Sequence, residues 1–261
     1  MEKPVLYYAP PSFYSQIAYL ALVEKGMEFG EEIVIPGPPN YGTYQPEYMT
    51  LNPGGTVPTL VANGEFYDDS RKIIDLLLEL DEGQDLAPHN ISRVEAVHWI
   101  DRAYGLSERE LAYGRGKQGK LGAIVNKKRL AALVRLRAEN ADLAWAYTDK
   151  IADIEDFMQK AADNVHVAGV EAKFDTEMDA LDAVLGQREF VAGGAYSMAD
   201  VCWTVVVARQ FMLKRARFDE RKNLARWFGE MKRRPSYKRA EVMDKFRISV
   251  MWKMISSLWK K

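Results

Sequence analysis

The chain up to residue 80 alternates between short apolar runs and longer segments with helical spacing. After Ser12, apolar residues such as Ile17 and Leu20 recur every three or four positions, which is typical of a helix that buries one face. Gly26 then stands where a left-handed cap would end this helix. The pattern therefore predicts a helix that opens at Ser12 and follows a short strand.

The remaining patterns in this part of the chain predict a small mixed sheet. Asn63 and Gly64, between two β-prone runs, are a strong signal for a two-residue hairpin. Predicted strands cover residues 4–8, 32–35, 57–61 and 65–67, a second amphipathic helix covers 70–80, and a loop with room for one short helix covers 36–55. The predicted order is β-α-β-loop-β-β-α, with helices packed on the sheet.

From residue 91 onward the pattern is helical throughout. Ser197 and Asp200 have the spacing of a reciprocal N-terminal cap, in which each side chain bonds to the other residue's backbone N–H. The segment that follows, 201–213, is apolar almost all round, so we expect it at the buried centre of a second, all-helical domain. The predicted domains are 1–82 and 91–261, joined by a polar linker at 81–90.

Composition excludes several classes of protein. The 261 residues include 36 Lys and Arg against 37 Asp and Glu, which argues against a nucleic-acid binder. The single cysteine, Cys202, rules out a disulfide framework within the chain and a cysteine-based zinc cluster, and we expect it to be a buried apolar residue. The three histidines have no metal-binding spacing. No signal peptide or apolar stretch of about 20 residues is evident, so we expect a cytoplasmic protein. The single cysteine and the spacing of the histidines lead us to expect no bound metal.

Two short motifs point to recognition of a peptide-like ligand. In the run 52–58, Val57 and Pro58 stand directly before a predicted strand, a position compatible with a cis peptide bond. Such a turn would leave the Val57 N–H and C=O free to form hydrogen bonds with a ligand. Asp69 and Ser70 open a helix, whose positive N-terminal end suits a carboxylate while Asp69 suits an ammonium group. The alternative for Asp69 and Ser70 is a plain helix cap.

This order of elements and motifs resembles the soluble glutathione transferase superfamily over most of the chain. Within it, the chain looks most like the bacterial tetrachlorohydroquinone reductive dehalogenases and the eukaryotic ganglioside-induced differentiation-associated proteins. The resemblance implies a thioredoxin-like α/β domain followed by an all-α domain, in a homodimer. It also implies glutathione as cosubstrate, bound by Val57, Pro58, Asp69 and Ser70. The implied activity is detoxification-type attack of the glutathione thiolate on a small hydrophobic, aromatic electrophile.

The chemistry is assigned to Ser12, with Ser15 and Tyr14 as alternatives. A hydroxyl and free N–H groups at the start of a helix can donate to a thiolate and lower the pKa of its thiol. Serine-type members of the superfamily carry their serine at this place, although a plain capping serine fits the sequence equally well. The similar dehalogenases have a catalytic cysteine where this chain has Tyr14, so their cysteine-dependent step does not transfer.

Two parts of the expected site are less well defined by sequence. No Lys, Arg or His occurs between Lys25 and Arg71, where many family members keep a cation for the glycyl carboxylate of glutathione. Tyr41, Tyr44 or a residue of the second domain would have to bind it. The acceptor substrate is expected near Tyr104 and Tyr113.

The stretch 111–138 is strongly basic and contains no acid. Its cations are Arg115, Lys117, Lys120, Lys127, Lys128, Arg129, Arg135 and Arg137. The stretch is either a solvated loop and helix face or a rim that attracts an anionic or phenolate substrate or the carboxylates of glutathione. The run 114–120 fits a phosphate-binding loop by letter, but Leu121 stands in place of the Ser or Thr and no strand precedes it.

Residues 246–261 predict an amphipathic helix with a wide apolar arc. It would pack over the active-site mouth or the domain body, or it would contact a membrane surface weakly. The alternative to an enzyme is therefore a non-catalytic or membrane-associated protein of the same fold. Among enzymes, a lyase, an ether-cleaving β-etherase, an isomerase or a dehalogenase would use the same thiolate.

Overall fold

The structure is a computed structural model that describes residues 3–80, 83–88, 91–113, 116–245, 248 and 252, with the backbone only at 113 and 116–118. The strands are β1 (Val5–Tyr8), β2 (Gly30–Ile33), β3 (Thr59–Ala62) and β4 (Glu65–Tyr67). The helices are α1 (Phe13–Lys25), α2 (Pro46–Leu51), α3 (Ser70–Glu79), α4 (Arg93–Tyr104), α5 (Glu108–Tyr113), α6 (Gly116–Glu139), α7 (Ala144–Ala162), α8 (Asn164–Leu185), α9 (Met198–Met212), α10 (Lys222–Met231) and α11 (Pro235–Arg239). The C-terminal helix predicted at 246–261 falls almost entirely outside the described residues.

The strands form the predicted mixed sheet in the order β2-β1-β3-β4. Strand β1 is parallel to β2 and antiparallel to β3, which pairs with β4 through the expected hairpin. Asn63 and Gly64 both have left-handed backbone conformations, with φ of 54° and 81°, as a two-residue turn of this type requires. Strand β2 covers 30–33 and not the predicted 32–35. Its register with β1 pairs Val5 with Gly30 and Tyr8 with Ile33, and β1 ends at Tyr8 ahead of two prolines.

Helix α1 forms as its sequence predicts. Ser12 is its N-cap, with the hydroxyl accepting a hydrogen bond from the Ser15 backbone N–H at 3.3 Å. Gly26 ends it with φ of 78° and donates back to Leu22 and Val23. Both faces of the helix are buried, because α3 and α9 pack against it.

Helix α9 lies at the centre of the helical part, as predicted. The Asp200 carboxylate accepts hydrogen bonds from Ser197 N–H, Val191 N–H and the Trp227 indole at 2.9–3.0 Å. Burial raises the pKa of Asp200 to about 6, and these three donors oppose the shift. Cys202 is fully buried in the next turn, as expected. The predicted architecture, a small α/β unit followed by an all-helical unit, is therefore confirmed.

The described part of the basic stretch 111–138 is helical. Residues 116–139 form the single helix α6, which pairs with α7 as an antiparallel hairpin. A second apolar cluster joins this hairpin to the segment 41–51 of the α/β unit, and the Tyr147 hydroxyl donates to the Tyr44 carbonyl at 2.8 Å. No helix among the described residues is long and apolar enough to cross a membrane.

A buried carboxylate connects α1 to the C-terminal helices. Glu24 accepts hydrogen bonds from the Arg234 guanidinium at 2.7 Å and the Tyr196 hydroxyl at 2.9 Å, and also from the Ser236 hydroxyl. Burial favours the protonated acid, but the bonds from Arg234 and Ser236 outweigh it and hold the pKa of Glu24 below its ordinary value.

We predict that Glu24→Gln lowers the free energy of unfolding by about 2 kcal/mol at neutral pH, because charge-assisted hydrogen bonds are lost. The folded-state pKa of Glu24 is depressed below an unfolded value of about 4.3. Its contribution is therefore complete above that pH and is lost as the pH falls through the folded pKa. Denaturant unfolding at several pH values measures this difference. Glu28→Gln is the matched control, since Glu28 is exposed; an equal effect of both substitutions would contradict the prediction.

Candidate active site

The turn between β1 and α1 places Ser12 at the surface of the α/β unit. Its N–H donates to the Ala9 carbonyl at 2.9 Å, and its half-buried hydroxyl faces the start of α1. The N-terminal end of a helix favours negative charge and offers N–H donors. Ser12 therefore combines the capping role that sequence allowed with access to a ligand outside the turn.

Ser15 has a different role in the same turn. It is completely buried, and its hydroxyl accepts a hydrogen bond from the Ala9 backbone N–H at 3.3 Å. This contact supports the Ser12 turn from inside the protein. The structure thus buries Ser15 inside the turn and leaves the half-buried Ser12 at its outer side.

Two tyrosines line the space beside this turn. The rings of Tyr14 and Tyr104 stack with centroids 6.1 Å apart, and the Arg71 guanidinium lies 5.7 Å above the Tyr104 ring. Burial, reinforced by the negative charges of Glu108 and Asp69, raises the pKa of Tyr14 to about 12. Burial also raises the pKa of Tyr104 well above its ordinary value. Both phenols are therefore neutral hydrogen-bond donors at physiological pH.

The start of α3 lies against the same tyrosines. Asp69 is exposed and caps α3 by accepting from the Arg71 N–H at 2.6 Å. The Ser70 side chain is buried, and neither its hydroxyl nor that of Tyr104 has a hydrogen-bond partner within the described chain. An unpartnered pair of hydroxyls next to an exposed carboxylate can accommodate a polar ligand.

The turn before β3 is tied to the start of α3 by one side chain. The Asn52 amide donates to the Thr56 carbonyl at 3.2 Å, the Thr59 hydroxyl at 2.9 Å and the Asp68 carbonyl at 2.9 Å. The Val57–Pro58 peptide bond between these contacts is cis, as expected. The sequence motifs at 57–58 and 69–70 are thus brought together at one edge of the sheet.

Tyr41 and Tyr44 differ in burial. Tyr44 is almost fully buried in the cluster between α2, α6 and α7, and its carbonyl is used by Tyr147. Tyr41 is half-buried, has a left-handed backbone with φ of 48°, and stacks on Tyr44 at 6.4 Å. Tyr113 is the last residue of α5, and its side chain lies outside the described residues.

Sequence reasoning missed a buried ion pair behind the Ser12 turn. Arg209, in α9, donates to the Pro11 carbonyl at 3.0 Å and pairs with Glu108 at 3.3 Å. Burial raises the pKa of Glu108, and the Arg209 charge opposes that shift. The sequence does contain a sign of this pair, since Arg209 is a single arginine inside the almost wholly apolar segment of α9. A cation buried there needs a specific partner.

The one cysteine of the chain is not available as a nucleophile. Cys202 is buried away from solvent, and burial raises the pKa of its thiol to about 12, so it is a protonated and unreactive group. Within the described ranges, no cluster of three or more His, Cys, Asp and Glu side chains is arranged to hold a metal ion.

Family models match both parts of the chain. The model described as "Glutathione S-transferase, N-terminal domain" matches residues 11–80, and the one described as "Glutathione S-transferase, C-terminal domain" matches residues 157–235. Together they cover more than half of the 261 residues. The chain belongs to the glutathione S-transferase family, which confirms the resemblance inferred from its motifs.

Individual relatives agree with this family. The chain is 28% identical over 250 residues to a tetrachloro-p-hydroquinone reductive dehalogenase of Sphingobium chlorophenolicum, covering 95% of this chain and 99% of the relative. It is 28% identical over 243 residues to a glutathione S-transferase named TCHQD of Arabidopsis thaliana, covering 90% and 88%. The crystal structure of the β-etherase LigF from Sphingobium sp. strain SYK-6 has the same fold, with a TM-score of 0.71, 17% identity, and coverage of 92% and 98%.

We predict that Arg209→Met lowers the free energy of unfolding by about 3 kcal/mol, because it leaves the Glu108 carboxyl buried without its partner. The double substitution Arg209→Met with Glu108→Leu should recover most of this loss, since both charges are then removed together. Denaturant unfolding of the two variants tests the pair. Losses that simply add in the double variant would show that the two side chains do not interact.

Proposed function

We propose that the protein is a glutathione-dependent enzyme that activates the glutathione thiol for attack on a small hydrophobic, aromatic electrophile. The observation that carries this proposal is that the turn at 57–58 and the start of α3 lie side by side. The Asn52 amide joins them by donating to the Thr56 carbonyl and to the Asp68 carbonyl. Tyr14 lies two residues after Ser12 and its ring stacks on Tyr104, over which the Arg71 guanidinium of α3 lies, so it connects that edge to the Ser12 turn. A peptide bound along this edge would have its thiol near the start of α1.

Ser12 is the proposed donor to the thiolate. An ordinary thiol has a pKa of about 8.5, so a hydroxyl and N–H groups at a helix start increase the reactive fraction at neutral pH. Tyr14, whose pKa is raised by burial, stays protonated and can donate to the same sulfur or shape the pocket around it. Ser15 supports the turn and makes no contact with substrate.

Recognition of the peptide is assigned to Val57, Pro58, Asp69 and Ser70. Within the described chain, no protein group bonds to the Val57 backbone N–H, which leaves it available to a ligand peptide. The exposed Asp69 carboxylate suits the α-ammonium group of the γ-glutamyl residue, and the N–H groups at the start of α3 suit its carboxylate.

The acceptor pocket is proposed beside Tyr104, with Tyr113 as a further candidate. The stacked rings of Tyr14 and Tyr104 present aromatic surface next to the Ser12 turn, and an aromatic acceptor would pack on such surface. Family membership further supports a homodimer in the cytoplasm, with functional units at residues 1–82 and 91–261.

Thioether-forming reactions suit this site best. In a substitution, the glutathione sulfur forms a bond to an electrophilic carbon, and a halide or an aryloxide leaves with the bonding electron pair. In an addition, the π electron pair of the double bond moves away from the attacked carbon and takes up a proton from solvent, so no group leaves. These reactions need no protein thiol. The names of the relatives, a reductive dehalogenase and a β-etherase among them, indicate the range of leaving groups to test.

Binding to immobilised glutathione, followed by turnover with a panel of aromatic halides and aryl ethers, tests the proposal. Release from the matrix by free glutathione together with thioether formation is the expected result. Binding without turnover of any acceptor would favour a non-catalytic protein of the same fold. Failure to bind glutathione at all would overturn the proposed function.

Ser12→Ala should reduce turnover by roughly 10²–10³-fold, the usual effect of removing one donor to a developing or stable anion. The loss of its helix cap should cost only about 1 kcal/mol of stability. Steady-state turnover and the ultraviolet absorbance of the bound thiolate measure the effect. Ser92→Ala is the matched control, because Ser92 caps α4 in the same way and is exposed. If Ser12→Ala stays active while Ser15→Ala is inactive, the role belongs to Ser15.

Cys202→Ala should keep full activity, and no glutathionylated protein should accumulate during turnover. The reason is that Cys202 is fully buried in α9 and its thiol pKa is raised to about 12. Intact mass spectrometry of quenched reactions gives the direct measurement. A turnover-dependent mass gain of one glutathione that disappears in Cys202→Ala would refute both the burial and the thiol-independent mechanism.

A further inference from the structure

The turn that carries Ser12 contains two consecutive prolines and therefore has few hydrogen-bond donors of its own. Pro10 and Pro11 have no backbone N–H, so the donors of the turn are those of Ala9 and Ser12. The Ala9 N–H donates to the Ser15 hydroxyl at 3.3 Å, and the Ser12 N–H donates to the Ala9 carbonyl at 2.9 Å. Donors for the two proline carbonyls therefore come from outside the turn.

Two buried side chains supply those donors. The Gln16 amide donates to the Pro10 carbonyl at 3.1 Å, and the Gln16 amide oxygen accepts from the Met243 N–H at 3.2 Å. Arg209 of α9 donates to the Pro11 carbonyl through Nη2 at 3.0 Å. Only 3% of Gln16 and 5% of Arg209 is exposed, so both contacts are shielded from water. The orientation of the turn thus depends on residues that lie far from it in the sequence.

The Arg209 contact acts on the peptide unit that leads directly into Ser12. In that unit the Pro11 carbonyl accepts from Arg209, and the Ser12 N–H donates to the Ala9 carbonyl. Because a peptide unit is planar, holding both of its polar groups fixes its orientation. The Ser12 backbone continues from this plane in an extended conformation, with φ of −68° and ψ of 130°. The place of its hydroxyl at the start of α1 follows from that conformation.

A carboxylate holds the guanidinium where this contact needs it. Glu108, at the start of α5, lies 3.3 Å from Arg209 Nε, and only 11% and 6% of the two side chains is exposed. A buried guanidinium needs an anionic partner, and its planar fork can face a carboxylate and a carbonyl at the same time. The contacts therefore run from α5 through α9 to the peptide before Ser12.

We propose that Arg209 is a positioning residue for the proposed reaction and acts on Ser12 through the Pro11 carbonyl. The inference rests on the proposed function, because it requires that Ser12 donates to the thiolate of bound glutathione. Arg209 is buried behind the turn, so its effect on the sulfur is transmitted by the backbone and not by contact with substrate. A reactive group displaced by about 1 Å loses much of its effect, so loss of the Pro11 contact should weaken the donation from Ser12.

Stability and activity together separate this role from a purely structural one. The double substitution Arg209→Met with Glu108→Leu removes both buried charges, so most of the stability lost in Arg209→Met should return. The Pro11 carbonyl still lacks its donor, and turnover at neutral pH should remain roughly 10–10²-fold below that of the intact protein. The apparent pKa of the bound glutathione thiol should rise, as measured from the ultraviolet absorbance of the thiolate against pH. The affinity for glutathione should change little, because the turn at 57–58 and the start of α3 are untouched.

Two lysine variants give a milder and matched comparison. Arg209→Lys keeps a charged donor without the planar fork, so it should keep part of the turnover and raise the thiol pKa less than the double variant does. Arg221→Lys is the control, because Arg221 is equally buried and paired with Asp179 at 2.7 Å, but donates to the carbonyls of residues 215 and 216. It should leave the thiol pKa unchanged. Thermal unfolding of each variant reports its fold, and Arg209→Lys carries the test if the double variant does not fold.

A third measurement asks whether Arg209 acts through Ser12. When Ser12→Ala is already present, the double substitution should cause no further loss of turnover, because the donor that Arg209 positions is absent. Losses that multiply instead would show that Arg209 acts by another route, and would overturn the inference.

Two other results would also overturn it. One is normal turnover and an unchanged thiol pKa in the folded double variant, since the Pro11 contact would then be unnecessary. The other is an equal shift of the thiol pKa in Arg209→Lys and Arg221→Lys. Each of these results leaves glutathione binding, and with it the proposed function, standing. Failure of the intact protein to bind glutathione would instead refute the proposed function, and the role of Arg209 would fall with it.

Discussion

A helix that is buried on all sides must satisfy every polar group that it carries, and α9 imposes this requirement on both halves of the protein. Its first turn places the Asp200 carboxylate where three donors from different segments converge on it. Near its other end, the Arg209 guanidinium reaches across to the Pro11 carbonyl and to Glu108. Because unpaired buried charges are costly, the Arg209 contacts favour one position of α9 against the β1–α1 turn, in addition to its apolar packing.

The contacts around α9 and α1 hold the candidate active site in place. Ser12 lies on the open side of a turn whose inner side is held by Ser15 and Arg209. In the last turn of α1, Glu24 is held by Arg234 and by the hydroxyls of Tyr196 and Ser236. A proposed catalytic serine on a loop is thereby supported by buried neighbours that bond to the turn, which is what precise positioning of a reactive group requires.

The α6–α7 hairpin connects the two halves in a second way. It covers the segment 41–51 of the α/β unit through an apolar cluster that includes Tyr44, Met49, Leu133 and Tyr147. Within that contact the Tyr147 hydroxyl donates to the Tyr44 carbonyl. Helix α6, whose basic sequence by itself suggested only a solvated face or a rim, therefore also has a packing role.

The sequence by itself determined the local structure and the family. Turn signals such as Asn63 and Gly64, the cap at Ser12 and the apolar segment of α9 each act over a few residues, so composition and spacing define them. Only the tertiary structure decided which polar groups face each other across the chain. It buried Tyr44, placed Ser15 inside the turn that carries Ser12, paired Arg209 with Glu108 and paired Arg109 with Asp153. The two ion pairs join residues tens to about a hundred positions apart, and no short-range pattern of hydrophobic and polar residues specifies them, because they depend on how whole helices pack.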